Sequence, residues 1–172
     1  MPSNPFQPPE TDPAKNPPPA VAPGSPLKAV LWGLAVDLGG SVMLGIVIHV
    51  LFAVQLQGQG LSEDEIKDAI GHMPRDSALY IAATLLGALL SVAGGYVCAR
   101  VARHDEFRIG AVMAATSALV GLLLGVSDEE ADMATLLTLT SVACSLLGVK
   151  YGADRNRREQ APAGPPQDTS TP

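Results

Sequence analysis

Charge is what four long segments of this chain lack. No Asp, Glu, Lys or Arg stands between Asp76 and Arg100, between Arg108 and Asp128, or between Asp132 and Lys150, and Asp37 alone interrupts the run from Lys28 to Glu63. A surface helix of a soluble bundle needs a polar face recurring at helical spacing, and none of these segments has one. Cysteine is scarce as well. Cys98 and Cys144 are the only two; neither lies in an acidic loop where an oxidising compartment would join them, and no CxxC or Cys/His spacing suggests zinc, so both read as small packing residues. There is no nucleophile-base pair, no phosphate-cradling glycine loop and no HExxH, which leaves no enzyme chemistry and no cofactor to expect. The segment before Lys28 carries only one basic residue, Lys15, and lacks the basic start and small-residue cleavage site of a secretory signal.

What is present are four apolar stretches, about residues 27–54, 78–99, 109–126 and 133–149. A hydrocarbon core of about 30 Å needs roughly 20 apolar residues as helix, within about 17 to 25. All four are expected to cross a bilayer, the first with length to spare for tilt. Ten of the 15 prolines fall at or before Pro26 and four from Pro162 onward. Such ends cannot bury enough apolar surface to offset their ordering entropy. The expected organisation is a disordered proline-rich tail (1–26), a four-helix transmembrane domain (27–153) and a disordered C-terminal tail (154–172), in an all-α membrane protein.

The loops are sorted by sign. Lys15, Lys28, Arg100, Arg103, Arg108, Lys150, Arg155, Arg157 and Arg158 fall on one side of a four-span arrangement; Lys67 and Arg75 fall on the other, with Glu63, Asp64, Glu65, Asp68, Asp76, Asp128, Glu129, Glu130 and Asp132. The positive-inside rule then places both termini and the middle loop in the cytoplasm. The net charge of −6 matters less than this distribution, and no nucleic-acid partner is expected. In the first outer loop, Ser62 and Glu65 form a capping box, with Leu61 and Ile66 as its hydrophobic staple, and Gly71 supplies a stop. Ile66, Ala69, Ile70 and Met73 share one face, so a short amphipathic helix is expected along the outer surface or across the bundle mouth. The acidic turn 128–132 reads as solvated loop.

Lipid tails are as apolar as leucine, so helices in a bilayer associate where small residues let backbones approach. Small residues recur here at four-residue spacing: Gly33, Ser41 and Gly45 in the first span, Gly87 and Gly95 in the second, Gly121 in the third, Gly148 in the fourth. Within that pattern Asp37 is the one acid inside a span, and such a group usually marks a relay or a substrate contact. Nine residues of about 1.5 Å each place Asp37 about 13 Å in from Lys28. Nine residues from Arg100 reach Ser91, nine from Lys150 reach Ser141, and eight or nine from Arg108 reach Thr116 and Ser117. Asp37, Ser91, Thr116, Ser117 and Ser141 thus form one polar layer. The layer allows two readings: a hydrogen-bonded layer that fixes helix register, or a proton- or cation-binding centre. The first is preferred because no Lys, Arg or second acid lies nearby in any span. His49, His72 and His104 are scattered and read as surface residues, and no metal site is expected.

Three blocks carry a resemblance: Asp37-Leu38-Gly39-Gly40-Ser41, the helix start Leu61-Ser62-Glu63-Asp64-Glu65, and Gly94-Gly95-Tyr96-Val97-Cys98-Ala99-Arg100-Val101-Ala102-Arg103 followed by Glu106. In this order they resemble a group of small bacterial four-span membrane proteins of unknown function, over roughly Lys28 to Gly125. The resemblance implies the same topology and a bacterial inner membrane, and it implies no activity. The expected role is a non-enzymatic packing, scaffold or accessory subunit, partnered by the bilayer and by a second copy or another membrane protein. The alternative is a small oligomeric proton- or cation-coupled transporter using Asp37.

Overall fold

The computed structural model describes residues 24–71, 74–125 and 131–160. Every element among them is helical: α1 (Pro26–Gly58), α2 (Glu63–Gly71), α3 (Ala78–Ala102), α4 (Glu106–Gly125) and α5 (Ala131–Gln160). Four of these, α1, α3, α4 and α5, are long and apolar enough to cross a membrane, as expected of a multi-pass membrane protein. Their outward faces carry Leu31, Trp32, Val42, Ile46, Leu85, Leu89, Leu123 and Leu139, all exposed, which suits contact with lipid.

The helices begin where the sequence supplies caps. Pro26 occupies the first turn of α1, where a missing N–H is harmless, and the Ser25 hydroxyl accepts from the Lys28 amide. The Ser77 hydroxyl does the same for the Tyr80 amide at the start of α3. The turn from α3 to α4 is only three residues long, and it reverses direction by placing Arg103 (φ 57°) and Asp105 (φ 45°) in the left-handed region. The Asp105 carbonyl then accepts from the amides of Arg108 and Ile109, opening α4.

The end of the bundle that carries Lys28, Arg100, Arg108 and Lys150, here called the basic end, is densely packed. Ala29, Cys98, Ala102, Ile109 and Met113 form a buried cluster joining α1, α3 and α4. The Gly24 amide donates to the Ala102 carbonyl, tying the start of α1 to the end of α3. Glycines bring backbones into contact: a Cβ on Gly95 would overlap the Ser145 carbonyl, and one on Gly148 the Val92 carbonyl, so α3 and α5 touch main chain to main chain. Gly33 abuts Cys98 and Gly94, and Gly152 abuts Ala99 and Tyr96.

The other half is more open at its small residues, although Ile48, Phe52 and Leu56 of α1 are buried there. Gly45, Gly87 and Gly121 have nothing within 4 Å of where a Cβ would stand, and Ser41 is exposed. These four, read from spacing as packing residues, make no close helix contact among the described residues. Gly94, Gly110 and Gly152 do so instead.

Two further features depart from the sequence reading. The stretch Ala35–Gly39 is a π-helical turn within α1. A π turn accommodates an extra residue and rotates the helix beyond it, so the ridge that includes Gly33 and Asp37 does not continue through Ser41 and Gly45. At the other end of the chain, α5 runs through Gln160, so residues 154–160, assigned to a disordered tail from composition, are helix. The helix is held there by a polar clasp. Asn156, 3% exposed, donates to the Ala99 carbonyl (2.9 Å) and to Glu106 (3.1 Å) and accepts from Arg100 (2.8 Å). Glu159 accepts from Arg100 and Arg155.

The amphipathic segment forms α2 with its capping box: the Glu65 carboxylate accepts from both the amide (2.8 Å) and the hydroxyl (2.7 Å) of Ser62. Those two donors hold the Glu65 carboxyl below its ordinary titration range. Ile66, Ala69 and Ile70 are half-buried, and α2 folds back against the end of α1. Met73 and His72 lie outside the described residues, as do the acidic residues 128–130.

Candidate functional site

Asp37 sits in the π turn of α1 and is 2% exposed. Its two carboxylate oxygens are served from two different helices. The Ser91 hydroxyl on α3 donates to one at 2.8 Å, and the Ser117 hydroxyl on α4 donates to the other. Ser141 on α5 joins the network through Ser91, with 2.9 Å between the two hydroxyl oxygens. Four helices therefore meet at one carboxyl group. The approach is close because Gly94 faces the Asp37 Cβ, where a side chain would stand 2.8 Å away.

Thr116 is not part of this cluster. Its hydroxyl donates to the Val112 carbonyl one turn back in its own helix, a common local alternative for Thr in a helix. One residue of offset rotates a side chain by about 100°, and Ser117, not Thr116, lies on the inward face. Ser145 is fully buried one turn from Ser141 toward the basic end, and its hydroxyl has no hydrogen-bond partner among the described residues.

A cavity of about 300 Å³ borders this cluster. Its walls obey a simple rule: every lining residue lies at the level of Asp37 or further from the basic end. On α1 they are Asp37, Leu38 and Ser41; on α3 they run from Ser91 back to Thr84; on α4 from Ser117 to Gly121; on α5 from Ser141 back to Leu137. The hydroxyls of Thr84 and Thr140 are committed to their own helix carbonyls, Tyr80 and Leu136. Polar atoms free to meet a guest are thus gathered at the floor, and the walls over it are mostly apolar. The close glycine contacts of the basic end seal the bundle beneath the floor.

No Lys, Arg or His pairs with Asp37 among the described residues. The two described histidines are engaged elsewhere: His49 with the Gly45 carbonyl and His104 with the Ala102 carbonyl, each at 2.7 Å. No three His, Cys, Asp or Glu side chains come together among the described residues.

The sequence reading missed two contributors to the site. The π turn has no residue signature. The cavity arises from a difference between two halves of the bundle that small-residue spacing treats alike.

Comparison with protein-family models, with curated proteins and with solved structures found no match.

Proposed function

We propose that this protein is a small multi-pass membrane transporter in which Asp37 exchanges a proton for a cation. The observation that carries the reading is the placement of Asp37 at the edge of a cavity whose lining lies at its level or further from the basic end, with close backbone contacts on the basic side. A carboxylate removed from water with no basic partner is costly unless it is protonated or meets a cation. Among the described residues its only hydrogen-bond partners are two neutral hydroxyls. A cavity beside a buried ionisable group, with a π turn at that residue, is the combination by which intramembrane functional sites are recognised.

In this reading the basic end faces the cytoplasm, both termini are cytoplasmic, and the cavity opens to the acidic outer side of a bacterial inner membrane. The sorted charges support the orientation, and the resemblance to small bacterial four-span proteins supports the membrane. A fluorescent reporter fused after residue 172 should be active only in the cytoplasm.

Transport is tested in proteoliposomes. An outward gradient of a monovalent cation, with sodium and an organic ammonium tested in parallel, should drive proton uptake through the wild-type protein, and Asp37→Asn should abolish it. Equal uptake by both proteins sinks the reading.

A second reading, an accessory subunit with no transport of its own, is favoured by the broad belt of exposed apolar side chains on α1, which includes Val42, Met43, Ile46, Val47 and Val50. It predicts stable co-purification with a membrane partner after mild detergent extraction, and indifference to Asp37→Asn.

A further inference from the structure

We infer that the cavity over Asp37 is a binding site for a primary ammonium ion carrying a short apolar chain, which displaces the proton held on that carboxyl group. This rests on the reading of Asp37 as an exchange centre and names its substrate class.

Size is the first argument. A cavity of about 300 Å³ has the volume of roughly ten liquid waters and sits at the lower end of small-molecule sites, far larger than a bare ion fills. The second argument is the distribution of polar atoms. Hard cations take six or more oxygen ligands or keep much of their water. Of the hydroxyls at the floor, those of Ser91 and Ser117 turn their hydrogens toward Asp37, and the two threonines further up point theirs at backbone carbonyls. These oxygens gather at one end of a cavity whose walls are otherwise mostly apolar, so they do not surround an ion as a metal's ligand shell does. Hydrogen-bond donors suit the floor better: each Asp37 oxygen receives one hydroxyl and retains acceptor capacity, and Ser41 and Ser141 stand at the same rim.

The third argument is the walls. Leu38, Ala88 and Leu137, with the side-chain-free surfaces of Gly87 and Gly121, match an alkyl or aryl body and offer a second charge nothing. A monocation with its charge at one end fits this arrangement.

The exchange balances simply. Neutral Asp37 gives up its carboxylic proton to water as the alkylammonium enters, and the resulting carboxylate accepts N–H donors from the ammonium; one cation enters for one proton released. Among the described residues, Asp37 is the only titratable one lining the cavity. From α3, α4 and α5 it faces Ser91, Ser117 and, through Ser91, Ser141, none of which titrates. The Cys98 thiol is buried one turn nearer the basic end, with Cys98 against Gly33.

The test uses the full chain in detergent micelles, with n-hexylammonium as probe, n-hexanol as the uncharged analogue and sodium as the metal control, read by calorimetry and by proton release in weak buffer. Hexylammonium should bind with release of one proton, and should bind more tightly at higher pH than at lower. Asp37→Asn should weaken it about thirtyfold or more. Because Asp37→Asn also changes the hydrogen-bonded floor, Gly121→Leu provides an independent probe. It places a side chain where nothing lies within 4 Å, and it should block hexylammonium while leaving the protein folded.

Hexanol binding as tightly as hexylammonium, or hexylammonium binding unchanged by Gly121→Leu, overturns the inference. If Asp37-dependent proton uptake persists in proteoliposomes but hexylammonium neither binds nor releases a proton while sodium does both, the substrate class is wrong and the exchange centre stands. If Asp37→Asn changes neither uptake nor binding, both fall.

Discussion

The hydroxyl of Ser117 donates to the carboxylate of Asp37 across 80 positions of sequence, and with Ser91 it leaves each carboxylate oxygen holding one hydroxyl. Removing either donor strands a buried acceptor. Ser117→Ala is therefore expected to destabilise the protein by about 1 to 3 kcal/mol, read as a lower temperature of aggregation in detergent. Combined with Asp37→Asn, the loss should be smaller than the sum of the two single losses, since the partners belong to one network. Additive losses would mean that the two side chains do not interact.

Glycines that look equivalent by spacing should behave oppositely. Gly148→Ala places a methyl against the Val92 carbonyl and Gly95→Ala places one against the Ser145 carbonyl. Each is an overpacking of backbone against backbone and is expected to cost about 1 to 3 kcal/mol or more. Gly87→Ala and Gly121→Ala meet open space and should be neutral or slightly stabilising, because alanine favours helix by about 1 kcal/mol over glycine. Thermal stability of the four variants, measured in parallel, checks the contrast.

Asn156 ties α5 to two other helices, through Ala99 and Arg100 of α3 and Glu106 of α4. Asn156→Leu keeps the approximate volume and removes every one of these bonds. It should release the last turn of α5, so that amide hydrogen exchange over residues 154–160 rises while the region around Ser141 stays protected. A uniform rise across α5 would count against a local clasp.

Helix α2 should respond to acid. The Glu65 carboxyl is held below its ordinary range by the Ser62 hydroxyl and amide, so its folded value lies under its unfolded one. The stabilisation it gives is complete above the unfolded value and is lost as pH falls through the folded value. Exchange of the Ile66 amide, which donates to the Ser62 carbonyl, should therefore show added loss of protection in acid beyond the intrinsic pH dependence of exchange. Glu65→Ala should remove that added pH dependence, leaving an α2 that frays equally at neutral and acid pH.

Much of the site was legible because the sorted charges act as a ruler. Counting inward from Lys28, Arg100, Arg108 and Lys150 brings Asp37, Ser91, Ser117 and Ser141 to one depth, which is where hydrogen bonds join them. Depth carries no information about azimuth, which is why Thr116 entered the same layer although its hydroxyl turns back to Val112. Spacing also identified Gly33, Gly95 and Gly148, yet it could not separate them from Gly45, Gly87 and Gly121, since the difference depends on how far the helices diverge. The extension of α5 was hidden by composition. Residues 154–160 are charged, and their helix depends on pairing between Glu159, Arg100 and Arg155, which joins residues distant in sequence.

The uneven contact between the helices makes α3 a lever. Main-chain atoms of Gly95 and Gly148 touch those of α5 and α3 and cannot be compressed, so they form a fulcrum near the basic end. The arm from Gly95 to Ala78 spans 17 residues, about 26 Å at 1.5 Å per residue. A tilt of about 10° at the fulcrum carries its tip by about 4.5 Å on that length, enough to change the width of the cavity mouth while displacing Ser91, four residues from the pivot, by only about 1 Å.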